Sequence, residues 1–359
     1  MKTKLTFQLL FTFVFLITLN FPGFAQQQEA DNWSQWRGPL GTGAAIKGNP
    51  PISFSETKNL KWKTPIPGKG HATPIVWGNQ IIVQTAVATD EKQEKKLDDT
   101  RSEGERRMSG TQTDLIHEYK VISVNKENGK IIWETTVARE LPLESTHELG
   151  SWASNSPATD GELIYAYFGS RGIYCLNFEG KILWQKDFGQ MEKHMSFGEG
   201  SSPFLYKKKL FIQWDHEGES FLYALNKKTG KQEWKLARDE RTSWSSPFVV
   251  EMNNRTQVIT SATTNIRGND FETGELIWTS TGLTRNVIPN PIFEDGILFV
   301  MSGFRGSALQ AIDLAKAKDD ITESDAIIWK YDKNTPYTPR ANAYFFCNLY
   351  LTNNRLCQF

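Results

Sequence analysis

The 359-residue sequence predicts an all-β fold, a β-propeller of four-stranded blades, from two recurring patterns. In the first pattern, a glycine is followed four positions later by a tryptophan. In the second, a Ser, Thr or Asn precedes a proline, and a short strand-like segment follows. Repeats of about 45 residues, with four strand-sized segments and no helical periodicity, are typical of propeller blades.

The glycine-to-tryptophan pattern predicts a β-hairpin. A hairpin loop of three to five residues usually needs one residue with positive φ, which glycine adopts without strain. The pairs are Gly129 and Trp133, Gly180 and Trp184, Gly230 and Trp234, and Gly274 and Trp278. We expect the blade tryptophans to pack between neighbouring blades as apolar wedges that carry an N–H donor. This structural set is Trp62, Trp133, Trp184, Trp234, Trp278 and Trp329.

The proline landmarks give the blade spacing. They are Pro74, Pro157, Pro203, Pro247 and Pro291, which lie 83, 46, 44 and 44 residues apart. One unit predicts strands A to D at residues 157–159, 163–168, 172–176 and 181–186. The first interval is longer because of an insertion, residues 86–117, between strands B and C. Its charged middle, residues 90–107, predicts a solvated loop, with a mobile lid as the alternative.

The blade count defines the expected domains. Five full blades end at Trp133, Trp184, Trp234, Trp278 and Trp329, and a sixth begins at residues 335–339. Residues 60–64 resemble a fourth strand without a blade of its own, as in closed propellers where an N-terminal strand completes the last blade. The pattern is lost in residues 340–359, which we expect to be an incomplete or aberrant last blade. The propeller is therefore assigned to residues 60–359, preceded by an N-terminal extension, residues 26–59.

Residues 1–25 predict a secretory signal peptide. Lys2 and Lys4 precede an apolar run over residues 5–19, and Gly23 and Ala25 mark a cleavage site. The alternative, an uncleaved anchor, would need about 20 apolar residues. The signal peptide predicts an exported protein, periplasmic or extracellular, that has no membrane span after cleavage. No cysteine lies near the cut, so we do not expect a lipoprotein. The 41 basic and 41 acidic residues balance, which argues against nucleic-acid binding.

Five motifs carry a resemblance to a known family. They are residues 36–39 (WRGP), 71–78 (HATPIVWG), 169–172 (GSRG), 214–218 (WDHEG) and 303–306 (GFRG). The sequence resembles the pyrroloquinoline-quinone-like (PQQ-like) repeat proteins of secreted bacterial type, which include quinoprotein dehydrogenases and the assembly factor BamB. The resemblance extends from Trp33 to Pro339 and implies a propeller of seven or eight blades.

A candidate binding site follows from blade geometry. In a blade, the D-to-A and B-to-C connections lie on one face, which we call the funnel face. The candidate ligand-binding residues on it are His71, Trp152, Arg171, Asp215, His216, Trp244 and Arg305. Aromatic, His, Arg and Asp side chains that converge at a concave mouth predict a ligand site. The alternative is that each has a structural role, as Ser and Thr before proline commonly do.

Two functions of different classes follow. The first is a non-catalytic propeller that binds a protein, peptide or glycan through the funnel face, with no cofactor and no metal. The second is a quinoprotein alcohol or sugar dehydrogenase with PQQ and Ca²⁺. Resemblance to such enzymes implies adjacent cysteines and a Glu/Asn/Asp metal set, but Cys175, Cys347 and Cys357 are not adjacent. Hydrolase or lyase chemistry is a third possibility that no paired carboxylates or metal-ligand spacing identify. Binding is therefore the favoured prediction.

Overall fold

A computed structural model of the protein describes residues 32–45, 48–94 and 112–338. The predicted signal peptide, most of the charged segment of the insertion and residues 340–359 lie outside these ranges. The described residues are almost entirely β-structure, with strands β1 to β21 and two short 3-10 helices at Gly169–Arg171 and His194–Ser196. No helix among them is long and apolar enough to span a lipid bilayer.

The strands form five sheets, each built on an antiparallel meander of four strands, and one of the sheets carries a fifth strand. Blade 1 contains β1 (Ile75–Trp77), β2 (Gln80–Lys92), β3 (Leu115–Asn125) and β4 (Ile131–Glu140). Blade 2 contains β5 (Ala158–Thr159), β6 (Ile164–Tyr167), β7 (Ile173–Leu176) and β8 (Ile182–Lys186). Blade 3 contains β9 (Phe204–Tyr206), β10 (Lys209–Trp214), β11 (Ser220–Asn226) and β12 (Gln232–Arg238).

Blades 4 and 5 follow the same plan with one addition. Blade 4 contains β13 (Phe248–Met252), β14 (Arg255–Ser261), β15 (Ile266–Asp270) and β16 (Leu276–Ser280). Blade 5 contains β17 (Ile292–Glu294), β18 (Ile297–Ser302), β19 (Ala308–Asp313) and β21 (Ile327–Tyr331). The connection between β19 and β21 contributes β20 (Asp319–Asp320), which pairs in parallel with β16. The predicted β-propeller of four-stranded blades is confirmed.

The burial of each strand reflects its place in the blade. The middle strands β6 and β7 of blade 2 are buried along their whole length, whereas the last strand, β8, alternates between half-buried and exposed residues. The sequence of a strand that is buried on both faces is a continuous apolar run, whereas a strand with one solvated face alternates between apolar and polar residues. The core therefore lies between neighbouring sheets, as the cluster that joins Phe211 and Leu222 of blade 3 to Val258 of blade 4 and Leu298 of blade 5 illustrates.

Each hairpin glycine lies under the tryptophan of the preceding blade. Gly180 has φ +83°, and a Cβ at this position would lie 2.7 Å from the ring of Trp133, whose Nε1 donates to the carbonyl oxygen of Phe178 at 2.7 Å. The same contact joins Trp184 to Gly230 and Trp234 to Gly274. Glycine is thus needed for its positive φ and for the close approach of the indole.

Trp62 makes this contact without lying in a strand. Its ring covers Gly129 of blade 1, and its Nε1 donates to the carbonyl oxygen of Lys126 at 2.9 Å. The predicted strand over residues 60–64 is absent because no described backbone pairs with this segment. Trp62 therefore makes the contact with the hairpin glycine of blade 1 that the tryptophan of the preceding blade makes in blades 2 to 4.

Trp278 departs from the pattern because blade 5 has no glycine hairpin at the equivalent position. The longer connection places β20 against β16, where Trp278 pairs with Asp319. Trp278 is fully buried, and its Nε1 donates to Oε1 of Gln257 at 2.8 Å within the same blade. The added strand thus covers an edge that is exposed in blade 2.

The residues before the landmark prolines form a chain of hydrogen bonds from blade to blade. The backbone N–H of each of the first four donates to the side chain of its counterpart in the next blade, at 2.8 to 3.0 Å. The members are Thr73, Ser156, Ser202, Ser246 and Asn290. The Ser/Thr/Asn-Pro pattern therefore ties the first strands of the five blades together.

Part of the predicted N-terminal extension packs into the propeller. Residues 32–43, which we call the crossing segment, run across the first strands of successive blades. Trp33 pairs with Val76 of β1, the carbonyl oxygen of Ser34 accepts from Thr159 of β5, and Oε1 of Gln35 accepts from the backbone N–H of Leu205 in β9. Gly41 packs against Phe248 of β13. The segment therefore contacts blades 1 to 4.

The insertion of blade 1 is shorter than the sequence predicts. β2 and β3 remain paired beyond the predicted boundaries, with Ala86 opposite Tyr119 and Ala88 opposite His117. Apolar residues such as Val87 and Ile116 keep strand alternation in both arms. Only residues 93–114 connect the two strands, so the predicted insertion over residues 86–117 is in part a hairpin.

Candidate functional site

Side-chain bonds between the connections confirm that they share one face. The connections after fourth strands are residues 141–157, 187–203, 239–247 and 281–291. Those between second and third strands include residues 168–172, 215–219, 262–265 and 303–307. Ser170 bonds Glu199, and Asp215 accepts from Ser243 Oγ at 2.7 Å, so the two kinds of connection contact each other. Together they form the funnel face.

Asp215 is held in a buried ion pair with Arg238 of β12. Nε of Arg238 lies 2.7 Å from Oδ1 of Asp215, and its second nitrogen lies 3.2 Å from Oδ2. Gln213 Nε2 and Ser243 Oγ also donate to this carboxylate, while Arg238 donates to Oγ1 of Thr260. Asp215 and Arg238 are 1% and 7% exposed. Because the carboxylate is fully bonded, it acts as an anchor between blades 3 and 4.

Lys193 and Trp244 extend this buried framework. Nζ of Lys193 donates to the carbonyl oxygens of Asp215 and Ser243, at 2.6 and 3.0 Å, and lies 5.6 Å from the centre of the Trp244 ring. Burial lowers the pKa of Lys193. Trp244 Nε1 donates to the carbonyl oxygen of Gly198 at 2.8 Å. The nitrogen atoms of both side chains therefore donate to neighbouring backbone carbonyl oxygens.

His216 is fixed as the neutral tautomer. Its Nδ1 accepts from the backbone N–H groups of Glu192 and Gly218, at 3.1 and 3.2 Å. Its Nε2 lies 3.0 Å from the carbonyl oxygen of Glu219 and donates to it. A ring that accepts at one nitrogen and donates at the other carries one proton. Burial lowers its pKa in agreement with this arrangement.

A cavity of about 30 Å³ lies between blades 1 and 2, with room for one or two water molecules. Trp152, Arg171, Glu144 and Glu199 contribute to its lining, with Tyr119 and Phe168 as aromatic walls. Trp152 Nε1 donates to the carbonyl oxygen of Glu144 at 2.9 Å. The guanidinium of Arg171 bonds Glu140 and the carbonyl oxygen of Leu141.

The pKa values of the two carboxyl groups in this cavity are both raised. Burial, with the nearby Glu199 carboxylate, raises the pKa of Glu144 to about 8. Burial also raises the pKa of Glu199, although Ser170 donates to it from both its backbone N–H and its hydroxyl. A Cβ on Gly169 would collide with the Glu199 carboxylate, so the GSRG loop is shaped to receive it. One of the two groups is therefore protonated near neutral pH.

His71 and Arg305 are exposed and lie apart from the buried framework. The backbone N–H of His71 donates to the carbonyl oxygen of Ala153. Arg305 lines an open depression of about 550 Å³ between blades 4 and 5. The depression is also lined by Thr263, Thr264, Leu283, Thr284 and Arg285. The predicted residues thus divide into a buried group, a small cavity and an open surface.

Several residues of this face were missed by the sequence analysis. Glu144, Lys193, Glu199 and Glu240 each follow a fourth strand, as Trp152 and Trp244 do. Glu240 is buried, accepts from Arg267 and from the backbone N–H groups of Thr264 and Asn265, and has a pKa raised by burial. The signal that could have identified them is their position in a connection that precedes the first strand of the next blade. The described residues include no group of three or more His, Cys, Asp or Glu placed to hold a metal ion.

Comparison with known proteins agrees with the fold. A family model described as outer membrane protein assembly factor BamB matches residues 117–325. The solved structure of BamB from Moraxella catarrhalis is 14% identical, with a TM-score of 0.42, and the match covers 62% of this chain and 63% of that one. Quinohemoprotein alcohol dehydrogenase from Comamonas testosteroni is 12% identical, with a TM-score of 0.51, and the match covers 84% of this chain and 50% of that one.

These solved structures are longer than the part matched here. The chain spans half to just under two thirds of their lengths. At 12% identity and a TM-score of 0.51, the likeness to the Comamonas testosteroni structure shows the fold and no activity. No curated protein matches the sequence.

Proposed function

Since this chain belongs to the BamB family of PQQ-like β-propellers, we propose that it is an exported, non-catalytic propeller that binds a protein, peptide or glycan through its funnel face. The proposal places it in the periplasm or outside the cell, because residues 1–25 have the pattern of a signal peptide. Its recognition surface would be formed by the connections that carry the predicted site residues.

One observation carries this proposal: three of the predicted site residues, Asp215, His216 and Trp244, use their polar side-chain atoms in bonds within the fold. Asp215 is paired with Arg238, both nitrogens of His216 are used by backbone, and Trp244 donates to a carbonyl oxygen. A general base or nucleophile needs a free atom within reach of substrate. Groups bonded in this way hold the loops in place, which favours a rigid binding surface over a reacting centre.

The alternative, a quinoprotein dehydrogenase, fits the described residues poorly. PQQ is a rigid tricyclic tricarboxylate, and pockets for ligands of this size occupy about 300–1,000 Å³. The cavity between blades 1 and 2 is about 30 Å³, which is too small for such a ligand. The open depression has the volume, but no carboxylate in its lining could hold Ca²⁺, which prefers such oxygen ligands.

A cross-linking experiment tests the binding proposal. A photo-crosslinking residue is placed at His71 or Leu149 on the funnel face, and at Lys231 or Arg255 on the opposite face, all of which are exposed. With an envelope extract of the producing bacterium, we expect the two funnel-face positions to give the same defined adduct and the opposite positions to give none. The captured partner is then purified, and its binding to the full chain is measured directly.

A parallel assay tests the alternative. The full chain is incubated with PQQ and Ca²⁺, and dye reduction is followed with alcohols and glucose. No substrate-dependent reduction is expected. Substrate-dependent reduction, or equal cross-linking from both faces, would overturn the proposal.

A further inference from the structure

We propose that the open depression between blades 4 and 5 is the anchoring part of the funnel face, and that Arg285 and Arg305 bind carboxylate side chains of an extended acidic polypeptide there. The inference rests on the proposed function, because it names the chemistry of the partner. It also assigns the binding to one corner of the face.

Three connections contribute to the depression. Thr263 and Thr264 come from the connection between β14 and β15, Thr284 and Arg285 from the connection between blades 4 and 5, and Arg305 from the connection between β18 and β19. The two arginines therefore reach the same depression of about 550 Å³ from different loops. Such an arrangement can hold two acidic side chains of one bound segment.

The walls are fixed by hydrogen bonds. Oγ1 of Thr263 accepts from the backbone N–H of Asn286 at 3.1 Å, and Oγ1 of Thr284 bonds Oγ of Ser302 at 2.9 Å. The backbone N–H of Thr264 donates to Glu240 at 2.9 Å. Because the loops are tied to one another, the backbone that carries the arginines is held in place before a ligand binds. Preorganisation of this kind reduces the entropy lost on binding.

The two guanidinium groups have no acidic partner within the described residues. Arg139, Arg171, Arg238 and Arg267 each form an ion pair with a carboxylate, whereas Arg285 and Arg305 form none there and are both exposed. The buried acid of this corner, Glu240, is already paired with Arg267. The lining of the depression contains no Asp or Glu. The corner therefore presents positive charge that the fold leaves unpaired.

The local backbone orients Arg305. It has φ +50°, in the left-handed region, and its guanidinium carbon lies 5.5 Å from the centre of the Phe304 ring. Phe304 lies in turn 5.1 Å from the ring of Tyr337. A guanidinium that rests on an aromatic ring keeps its N–H edge free for two parallel bonds to a carboxylate.

The open shape favours a polypeptide over a small ion. A small anion is typically held by several donors in a closed cradle, whereas here two guanidinium groups flank a surface open to solvent. Outside the described ranges, residues 339–359 contain no Asp or Glu, and residues 95–111 contain four acidic but five basic residues, so neither stretch has an acidic balance. A separate acidic segment is therefore the occupant that the charges favour.

Fluorescence anisotropy with the full chain tests the inference. The probe is a labelled eight-residue peptide with Glu at alternate positions, and its control replaces each Glu with Gln. We expect the Glu peptide to bind with an affinity that falls as salt rises, and the Gln peptide to bind at least tenfold more weakly. Arg285→Ala/Arg305→Ala should weaken binding of the Glu peptide by about tenfold or more.

The matched control is Arg255→Ala/Lys231→Ala, which removes the same charge from exposed positions on the opposite face. It should leave affinity within about twofold. Equal weakening by both double variants would overturn the inference, since attraction would then depend on net charge alone. Displacement of the peptide by inorganic phosphate at equal concentration would also overturn it, because the site would then be one for small anions.

Failure of this inference can be separated from failure of the proposed function. If cross-links from His71 and Leu149 persist and the captured partner binds Arg285→Ala/Arg305→Ala as well as the unmodified protein, funnel-face binding stands and the arginine site is wrong. If no funnel-face adduct forms, the proposed function fails first.

Discussion

The backbone N–H of Ser156 donates to Oγ of Ser202, 2.9 Å away, and thereby joins the start of blade 2 to the start of blade 3. The same bond recurs between the other neighbouring blades, from Thr73 to Asn290. Proline follows each of these residues and restricts it to extended backbone. The dipeptide therefore fixes the first strand and supplies the acceptor for the preceding blade.

Ser202→Ala should lower the free energy of unfolding by about 1–3 kcal/mol, because the buried backbone N–H of Ser156 loses its acceptor. Urea denaturation measures the change. Ser202→Thr should restore most of the loss, since Thr73 occupies the equivalent position in blade 1. Ser53→Ala, at an exposed position, is the control and should leave stability unchanged. An Ala variant as stable as the unmodified protein would contradict a role for this bond.

Gly180→Ala should be more destabilising than Gly78→Ala, although both glycines have positive φ. A Cβ at residue 180 meets the Trp133 ring at 2.7 Å, whereas nothing lies within 4 Å of one at residue 78. We expect about 1 kcal/mol from backbone conformation at each position, and about 1–3 kcal/mol more at residue 180 from the displaced indole. Thermal and urea unfolding give the comparison, and equal losses would show that the indole contact does not matter.

Asp215→Asn should cost about 3–5 kcal/mol of stability, because it leaves the guanidinium of Arg238 buried without its counter-charge. The exposed pair of Lys316 and Asp325 supplies the control, and Asp325→Asn should cause no measurable change. Chemical denaturation of both variants at the same pH measures the difference. Equal changes in stability for Asp215→Asn and Asp325→Asn would mean that the buried ion pair contributes no more to stability than a surface pair.

Glu144 should make the protein less stable as pH rises. Its pKa is raised from its ordinary value of 4.5 to about 8 in the folded state, so between these values the folded protein binds more protons than the unfolded chain. Stability is then fully present below about pH 4.5 and is lost as pH rises through 8. Glu144→Gln, which mimics the protonated acid, should flatten this part of the profile. Urea unfolding between pH 5 and 9 measures it, and parallel profiles would rule out a buried acid at this position.

Gln35→Ala should destabilise the propeller by about 1–3 kcal/mol, because the backbone N–H of Leu205 in β9 loses its acceptor across the crossing segment. Gln93→Ala, at an exposed position in the insertion, is the matched control and should have little effect. Hydrogen exchange at Leu205 gives a local readout and should increase in the first variant alone. Unchanged protection there would show that the crossing segment is not held through Gln35.

Much of the architecture could be predicted from local patterns. The repeated glycine and tryptophan located the hairpins, and the strands predicted at residues 172–176 and 181–186 correspond to β7 (Ile173–Leu176) and β8 (Ile182–Lys186). The predicted insertion, residues 86–117, was too long, because the pairing of β2 with β3 continues where both arms keep apolar alternation. The pattern also gave no sign of β20, which pairs with a strand about 40 residues earlier in the chain.

The candidate site was predicted as a face, but its internal chemistry was not. Which connections share a face follows from the order of strands in a blade, so Trp152, Asp215 and Trp244 could be assigned to it. Sequence spacing does not show that Asp215 binds Arg238, 23 residues later, or that Glu144 lies near Glu199, because no local repeat links these positions. The division of the funnel face into a buried framework, a small cavity and an open depression therefore follows only from the three-dimensional structure.

The sequence by itself determined the repeat, the hairpins and the blade count of the described chain, because turn glycines, strand alternation and prolines act over a few residues. Only the tertiary structure decided what each landmark contacts. Gly180 lies under Trp133, Ser156 binds Ser202, and Gln35 binds Leu205, at separations of 47, 46 and 170 residues along the chain. The physical reason is that burial and hydrogen bonding between blades depend on distances in space, which the packing of whole sheets sets.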